Sequence, residues 1–149
     1  MRCLCANTRR TARILSRFYE DRLRPIGMTV AQFELLSELS GRPDRPQGEL
    51  AEELGLDQTT LSRNLKTMVE HGWIAGSPSV LDRRKALYSL TAEGREMLRL
   101  ALPHWQEAHD HVQKQMGADW PVVWAMLDRV AVAVSGQARW AVLVTALRK

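Results

Sequence analysis

Nothing in the sequence approaches the roughly 18 to 20 consecutive apolar residues that a membrane-crossing helix needs. Its opening residues, MRCLCANTRR, hold no apolar segment long enough for a secretory signal. A chain with neither is expected in the cytoplasm and away from membranes. Cysteine is scarce: Cys3 and Cys5 stand only two positions apart and make no structural disulfide framework. There is no glycine-rich phosphate loop, no nucleophile paired with a base and no metal-ligand spacing. His104, His109 and His111 lie near one another, but spacings of five and two do not bring the three rings to one helix face. No enzyme, resident cofactor or metal centre is predicted. A thiol peroxidase using Cys5 is the enzymatic alternative.

The 149 residues suffice for one domain with a proper core. A formal charge of +4 and a pI near 9.5 lean towards a polyanionic partner. The charge is clustered. Arg9, Arg10, Arg13, Arg17, Arg22 and Arg24 crowd the first helical stretch, whereas Arg83, Arg84 and Lys85 form a second group.

Gln47 to Ile74, QGELAEELGLDQTTLSRNLKTMVEHGWI, is the most informative stretch. A short helix with an apolar face of Leu50, Ala51 and Leu54 stops at Gly55, where a residue tolerant of positive φ is wanted. Asp57 can cap a second helix whose apolar stripe is Leu61, Leu65, Met68 and Val69. Its other face carries Thr59, Ser62, Arg63 and Lys66, groups able to reach base edges or phosphates in a major groove. By itself this pattern fits either a helix-turn-helix or a plain helical hairpin in an all-α core.

The flanking segments favour the first. Residues 1–24 form a helix with a narrow apolar stripe of Leu4, Thr8, Ala12, Leu15 and Tyr19, ended by Pro25 and Gly27. Thr29 with Gln32 resembles a capping box before a helix that buries Val30, Phe33, Leu36 and Leu39. GRPDRP, residues 41–46, has the composition of a loop. After the hairpin, a strand near Ile74 and the alternating ALYSL of residues 86–90 flank a basic tip, SVLDRRK, as a wing would. Thr91 then caps a helix to about Gln115, kinked at Pro103 and closed by Gly117. The last helix, from Asp119 to about Lys149, is largely apolar: Trp120, Val123, Trp124, Leu127, Val130, Val134, Trp140, Leu143, Val144 and Leu147, with Gly136 as an interruption. That is more apolar surface than one small core covers, so a homodimer is expected.

The order of elements, with LAEELGLDQTTLSRNLKTMVEHGWI followed by DRRKALYSLTAEG, resembles the MarR family of bacterial winged-helix regulators. MTVAQFELLSEL is similar to the family's second helix, so the likeness spans almost the whole chain. It implies a mainly α fold with a small β-wing. Residues 28–91 would be the winged helix-turn-helix module, and residues 1–27 and 92–149 the dimerisation helices of a single domain. It further implies a homodimeric repressor that reads a near-palindromic double-stranded operator with half-sites one helical turn apart. In that scheme Arg84 enters the minor groove, Asp82 holds the wing tip by an ion pair, and Arg83 and Lys85 hold phosphates. Thr59, Ser62, Arg63 and Lys66 face bases. The alternative is a winged-helix module that binds protein and not specific DNA.

The family's regulators are commonly released from DNA by an effector. Counted back from Thr29, Cys5 falls where the family's organic-hydroperoxide sensors carry their reactive cysteine, and Tyr19 falls on one of its supporting tyrosines. Arg9 departs from the pattern, standing where those sensors have a second tyrosine. On this reading Cys5 is oxidised by peroxide, and Cys3 resolves the product or pairs with its counterpart across the dimer. The other implied effector is a small apolar ligand such as a phenolic acid, lodged between the dimer helices and the winged module near Trp105 or Tyr19.

Overall fold

The computed structural model describes residues 3–80, 82–83 and 85–135. Arg84, and the apolar positions expected at Trp140, Leu143, Val144 and Leu147 together with the break at Gly136, lie outside them.

Helix α1 (Leu4–Leu23) ends in a single 3-10 turn (Arg24–Ile26), with Pro25 inside the turn and Gly27 in the left-handed region at φ 69°. Within the chain α1 buries only Leu23 and half-buries Phe18, Tyr19 and Arg22. Leu4 and Leu15 on its expected apolar side stay exposed, as does Ile14 beside them. Helix α2 (Val30–Gly41) opens with the anticipated capping box: Thr29 Oγ1 accepts from the Gln32 amide at 3.2 Å, and Gln32 Oε1 accepts from the Thr29 amide at 2.9 Å. It buries Phe33, Leu35, Leu36 and Leu39, so more than one of its faces meets neighbours.

A two-residue strand, β1 (Arg45–Pro46), follows α2 where a loop was expected. Such a short segment containing proline has no readable period. Proline is tolerated there because β1 is an edge strand, paired on one side only. Helices α3 (Gln47–Leu54) and α4 (Gln58–Glu70) come next, then β2 (Ile74–Pro78) and β3 (Ala86–Leu90). Among the described residues these strands form one antiparallel sheet in the order β1-β3-β2. Ile74 pairs with Leu90 and Pro78 with Ala86 in the hairpin, while Arg45 pairs with Tyr88 on the other edge.

The core lies where α2, α3, α4, the sheet and helix α5 (Ala92–Met116) meet, around Leu36, Leu39, Leu50, Leu61, Leu65, Met68, Ile74 and Ala101. Full burial of each large aliphatic side chain contributes about 1.5–3 kcal/mol. Thr91 caps α5 by accepting the Gly94 amide at 3.0 Å. The helix stays continuous across Pro103 and ends at Gly117. Another short 3-10 turn (Gly117–Asp119) leads into α6 (Trp120–Ser135), which buries none of its residues within the chain. Val122, Met126, Leu127 and Val134 are all at least half exposed.

Candidate nucleic-acid interface

The turn between α3 and α4 is closed by its sequence. Gly55 adopts φ 61°, which allows the amides of Gly55 and Leu56 to return to the carbonyls of Glu52 and Ala51. Asp57 then caps α4, its carboxylate accepting from the Thr60 amide at 2.9 Å and the Thr60 hydroxyl at 2.6 Å. The hydroxyl and then the amide of Thr60 hold the Asp57 carboxyl below its ordinary pKa. Gln47 reaches across the turn to the backbone and side chain of Gln58.

Helix α4 is thereby seated with Leu61, Leu65 and Met68 buried and Thr59, Ser62, Arg63 and Lys66 exposed. Val69, expected on the buried stripe, is 45% exposed. It follows Met68 by one position, a rotation of about 100° around the helix, and falls off the stripe's edge. The four polar side chains span two turns, roughly 11 Å of axis. Lys66 lies 3.8 Å from Glu70 in an exposed contact that leaves its ammonium accessible.

The wing tip is shaped by its backbone. The Ser79 amide donates to the Lys85 carbonyl at 2.8 Å, and the Lys85 amide donates to the Asp82 carbonyl at 2.9 Å. Arg83 and Lys85 are exposed beside this closure, and Asp82 is half-buried.

An ion-pair network that sequence reading missed ties this module to α2. Arg45 on β1 bonds Glu53 at 2.7 Å and Glu49 at 2.9 Å, both on α3. Arg42 bonds Glu53 at 2.9 Å and approaches Glu38 on α2 at 3.3 Å. Burial, aided by the neighbouring Glu53, raises the pKa of Glu38. Burial also acts upward on Glu53, but hydrogen bonds from Arg45 and Glu38 and the two guanidinium charges outweigh it, and its pKa falls. The visible signals are the four-residue spacings of Glu38 with Arg42 and of Arg45 with Glu49.

The cysteine group is not assembled within one chain. Cys3 occupies the N-cap position of α1 and Cys5 its first turn, both free and exposed. Tyr19 lies fourteen residues after Cys5, about 21 Å along the helix axis. Its hydroxyl instead faces His109 Nδ1 at 3.5 Å, on the wall of a cleft between α1, α2, α5 and α6 that Trp105 also lines. Among the described residues, no three His, Cys, Asp or Glu side chains are grouped to hold a metal ion, and no helix is long and apolar enough to cross a membrane.

A helix-turn-helix with an antiparallel wing against its second helix, carried between long terminal helices, defines a winged helix-turn-helix protein. The chain belongs to the MarR family. The family's model matches residues 26–85. The structure of the Mycobacterium tuberculosis transcriptional regulator MosR, in complex with DNA, is 36% identical and superposes with a TM-score of 0.82 over 91% of this chain and 98% of that one. The transcriptional repressor CouR, bound to a 23-mer DNA duplex, is 27% identical with a TM-score of 0.79, over 87% of this chain and 92% of that one. The multiple antibiotic resistance protein MarR of Escherichia coli is 29% identical over 106 residues, or 69% of this chain and 72% of that protein.

Proposed function

We propose that this protein is a cytoplasmic, homodimeric transcription regulator that represses by binding a near-palindromic DNA operator. The observation that carries the reading is α4, anchored by Leu61, Leu65 and Met68 and presenting Arg63, Lys66, Thr59 and Ser62 outward beside the wing. Arg63 contacts base edges, with Thr59, Ser62 and Lys66 contributing base or phosphate contacts. At the wing, Arg84 enters the minor groove, Asp82 holds the tip, and Arg83 and Lys85 neutralise phosphates. DNA-bound relatives of the same fold support this assignment.

Dimerisation supports itself on apolar surface that one chain leaves uncovered. Helix α6 has no fully buried residue among those described, and exposed Leu4, Ile14 and Leu15 lie on α1. Two copies fix the separation of two α4 helices, so anything that shifts the arms shifts that separation off the half-site spacing. The releasing signal is a small molecule in the cleft between the arms and the winged module, or oxidation of Cys5 with Cys3 as resolving thiol.

Selection of bound fragments from genomic DNA followed by footprinting tests the reading. The expected result is a protected pair of inverted half-sites about 10 bp apart, one per subunit. The same complex treated with cumene hydroperoxide, for wild type and Cys5→Ser, assigns the signal: release only with Cys5 present means oxidation, and persistence in both means a ligand. Recovery of no preferred sequence would replace the regulator with a protein-binding module.

A further inference from the structure

The cleft between α1, α2, α5 and α6 has a volume of about 480 Å³, within the range of sites that hold one small ligand. Its wall is aromatic. Phe33 and Trp105 stack with ring centres 5.5 Å apart, and Trp105 stacks on His109 at 4.5 Å. Trp120 meets His109 edge-on at 5.1 Å, and Trp124 meets Trp120 edge-on at 5.5 Å. Aromatic walls alone are equally what a core would present.

Two polar groups separate this wall from a core. Glu34 lines the cleft from α2 at its mouth and is exposed to solvent. Among the described residues nothing pairs with its carboxylate, and burial alone raises its pKa. Three positions on, Ser37 lines the same wall with its hydroxyl oxygen buried and no hydrogen-bond partner. Among the described residues no lysine or arginine lines the cleft. Burial also lowers the pKa of His109, against the opposing charge of Asp110, which favours a neutral ring. The cleft therefore combines π-faces, one uncompensated acid and one unused hydroxyl.

We propose that this cleft takes an organic cation with an aromatic or apolar body, its charge set between the tryptophan faces and Glu34 and a polar group meeting Ser37. Cations are drawn to the faces of tryptophan rings within about 6 Å, most strongly where water is excluded, and the carboxylate adds a full opposite charge. The proposal rests on reading the cleft as the effector site. It reverses the sign of the phenolic acid suggested by family resemblance, because a ligand carboxylate would be repelled by Glu34 with no base among the described lining residues to offset it.

The test titrates DNA-free protein, at mildly alkaline pH to favour the Glu34 carboxylate, with benzyltriethylammonium and with phenylbutyrate, an anion of comparable bulk. Tryptophan fluorescence and calorimetry report binding. The expected result is saturable binding of one ammonium per chain, far weaker binding of the carboxylate, and about a tenfold loss of ammonium affinity in Glu34→Gln, equivalent to about 1.4 kcal/mol. Equal affinity for the anion, ammonium binding unmoved in Glu34→Gln, or no binding of either to folded protein overturns the proposal. The comparison of the two ligands on wild type holds whether or not the variant folds. Because no DNA is present, a wrong ligand class and a wrong regulator reading fail separately.

Discussion

A Cβ atom placed on Gly94 would lie 1.9 Å from the carbonyl oxygen of Trp73. That carbonyl, just before β2, also accepts the Thr91 amide and the Thr91 hydroxyl, each at 3.1 Å. The first turn of α5 is therefore seated directly on the base of the wing. Glycine is required at position 94 by close approach, not by backbone angle. We expect Gly94→Ala to push the two apart, costing about 1–3 kcal/mol as overpacked sites do, and to weaken DNA binding by displacing the wing. Urea denaturation checks it; an unchanged midpoint would contradict the contact.

Arg45 bonds two acids of α3 while its own strand pairs with β3. Replacing it by alanine leaves the partly buried Glu53 with Arg42 alone, and we expect a loss of about 1–3 kcal/mol, below the value for a fully buried pair. Glu53 has a depressed folded pKa. Its stabilisation is thus present above the unfolded carboxylate pKa and lost as pH falls through the folded one. Thermal melts on the acid side should show a shallower decline in Arg45→Ala than in wild type. Parallel curves would remove Arg45 as the cause.

The Asp57 cap makes a similar claim about α4. Asp57→Ala should lower the melting temperature, and Asp57→Ser should restore most of it, since serine accepts the same amide. With the Asp57 carboxyl depressed by Thr60, the difference between wild type and Asp57→Ala is full above the ordinary carboxylate pKa and shrinks as pH drops below it. Amide exchange at Thr60 is the local readout. Unaltered protection in Asp57→Ala would show that the cap does not hold the helix start.

What could be read in advance was what local chemistry dictates. Gly55 and Asp57 mark the turn and cap, Leu61, Leu65 and Met68 repeat at helical spacing, and residues 86–90 are a strand, though their burial does not alternate. Hidden features depend on distant partners. Strand β1 exists because Tyr88 and Leu87 pair with it, and Gly94 matters because Trp73 arrives from another element. The cleft draws residues from four helices, so Trp105 and Trp120 have core-like spacing in sequence, and the role of Glu34 depends on which side chains other helices bring to the same wall. The contact of Tyr19 with His109 is equally hidden, since ninety residues separate the two.

Binding of operator DNA by α4 and the wing is read out by salt-dependent anisotropy of labelled operator. The logarithm of the binding constant should fall steeply and linearly with the logarithm of salt concentration, at about 0.9 per phosphate contact. Lys85→Ala should reduce that slope by about one per subunit on any sequence. Arg63→Ala should cost about 1–3 kcal/mol on operator and much less on scrambled DNA. Binding that ignores salt, or is unmoved by both substitutions, would contradict the account.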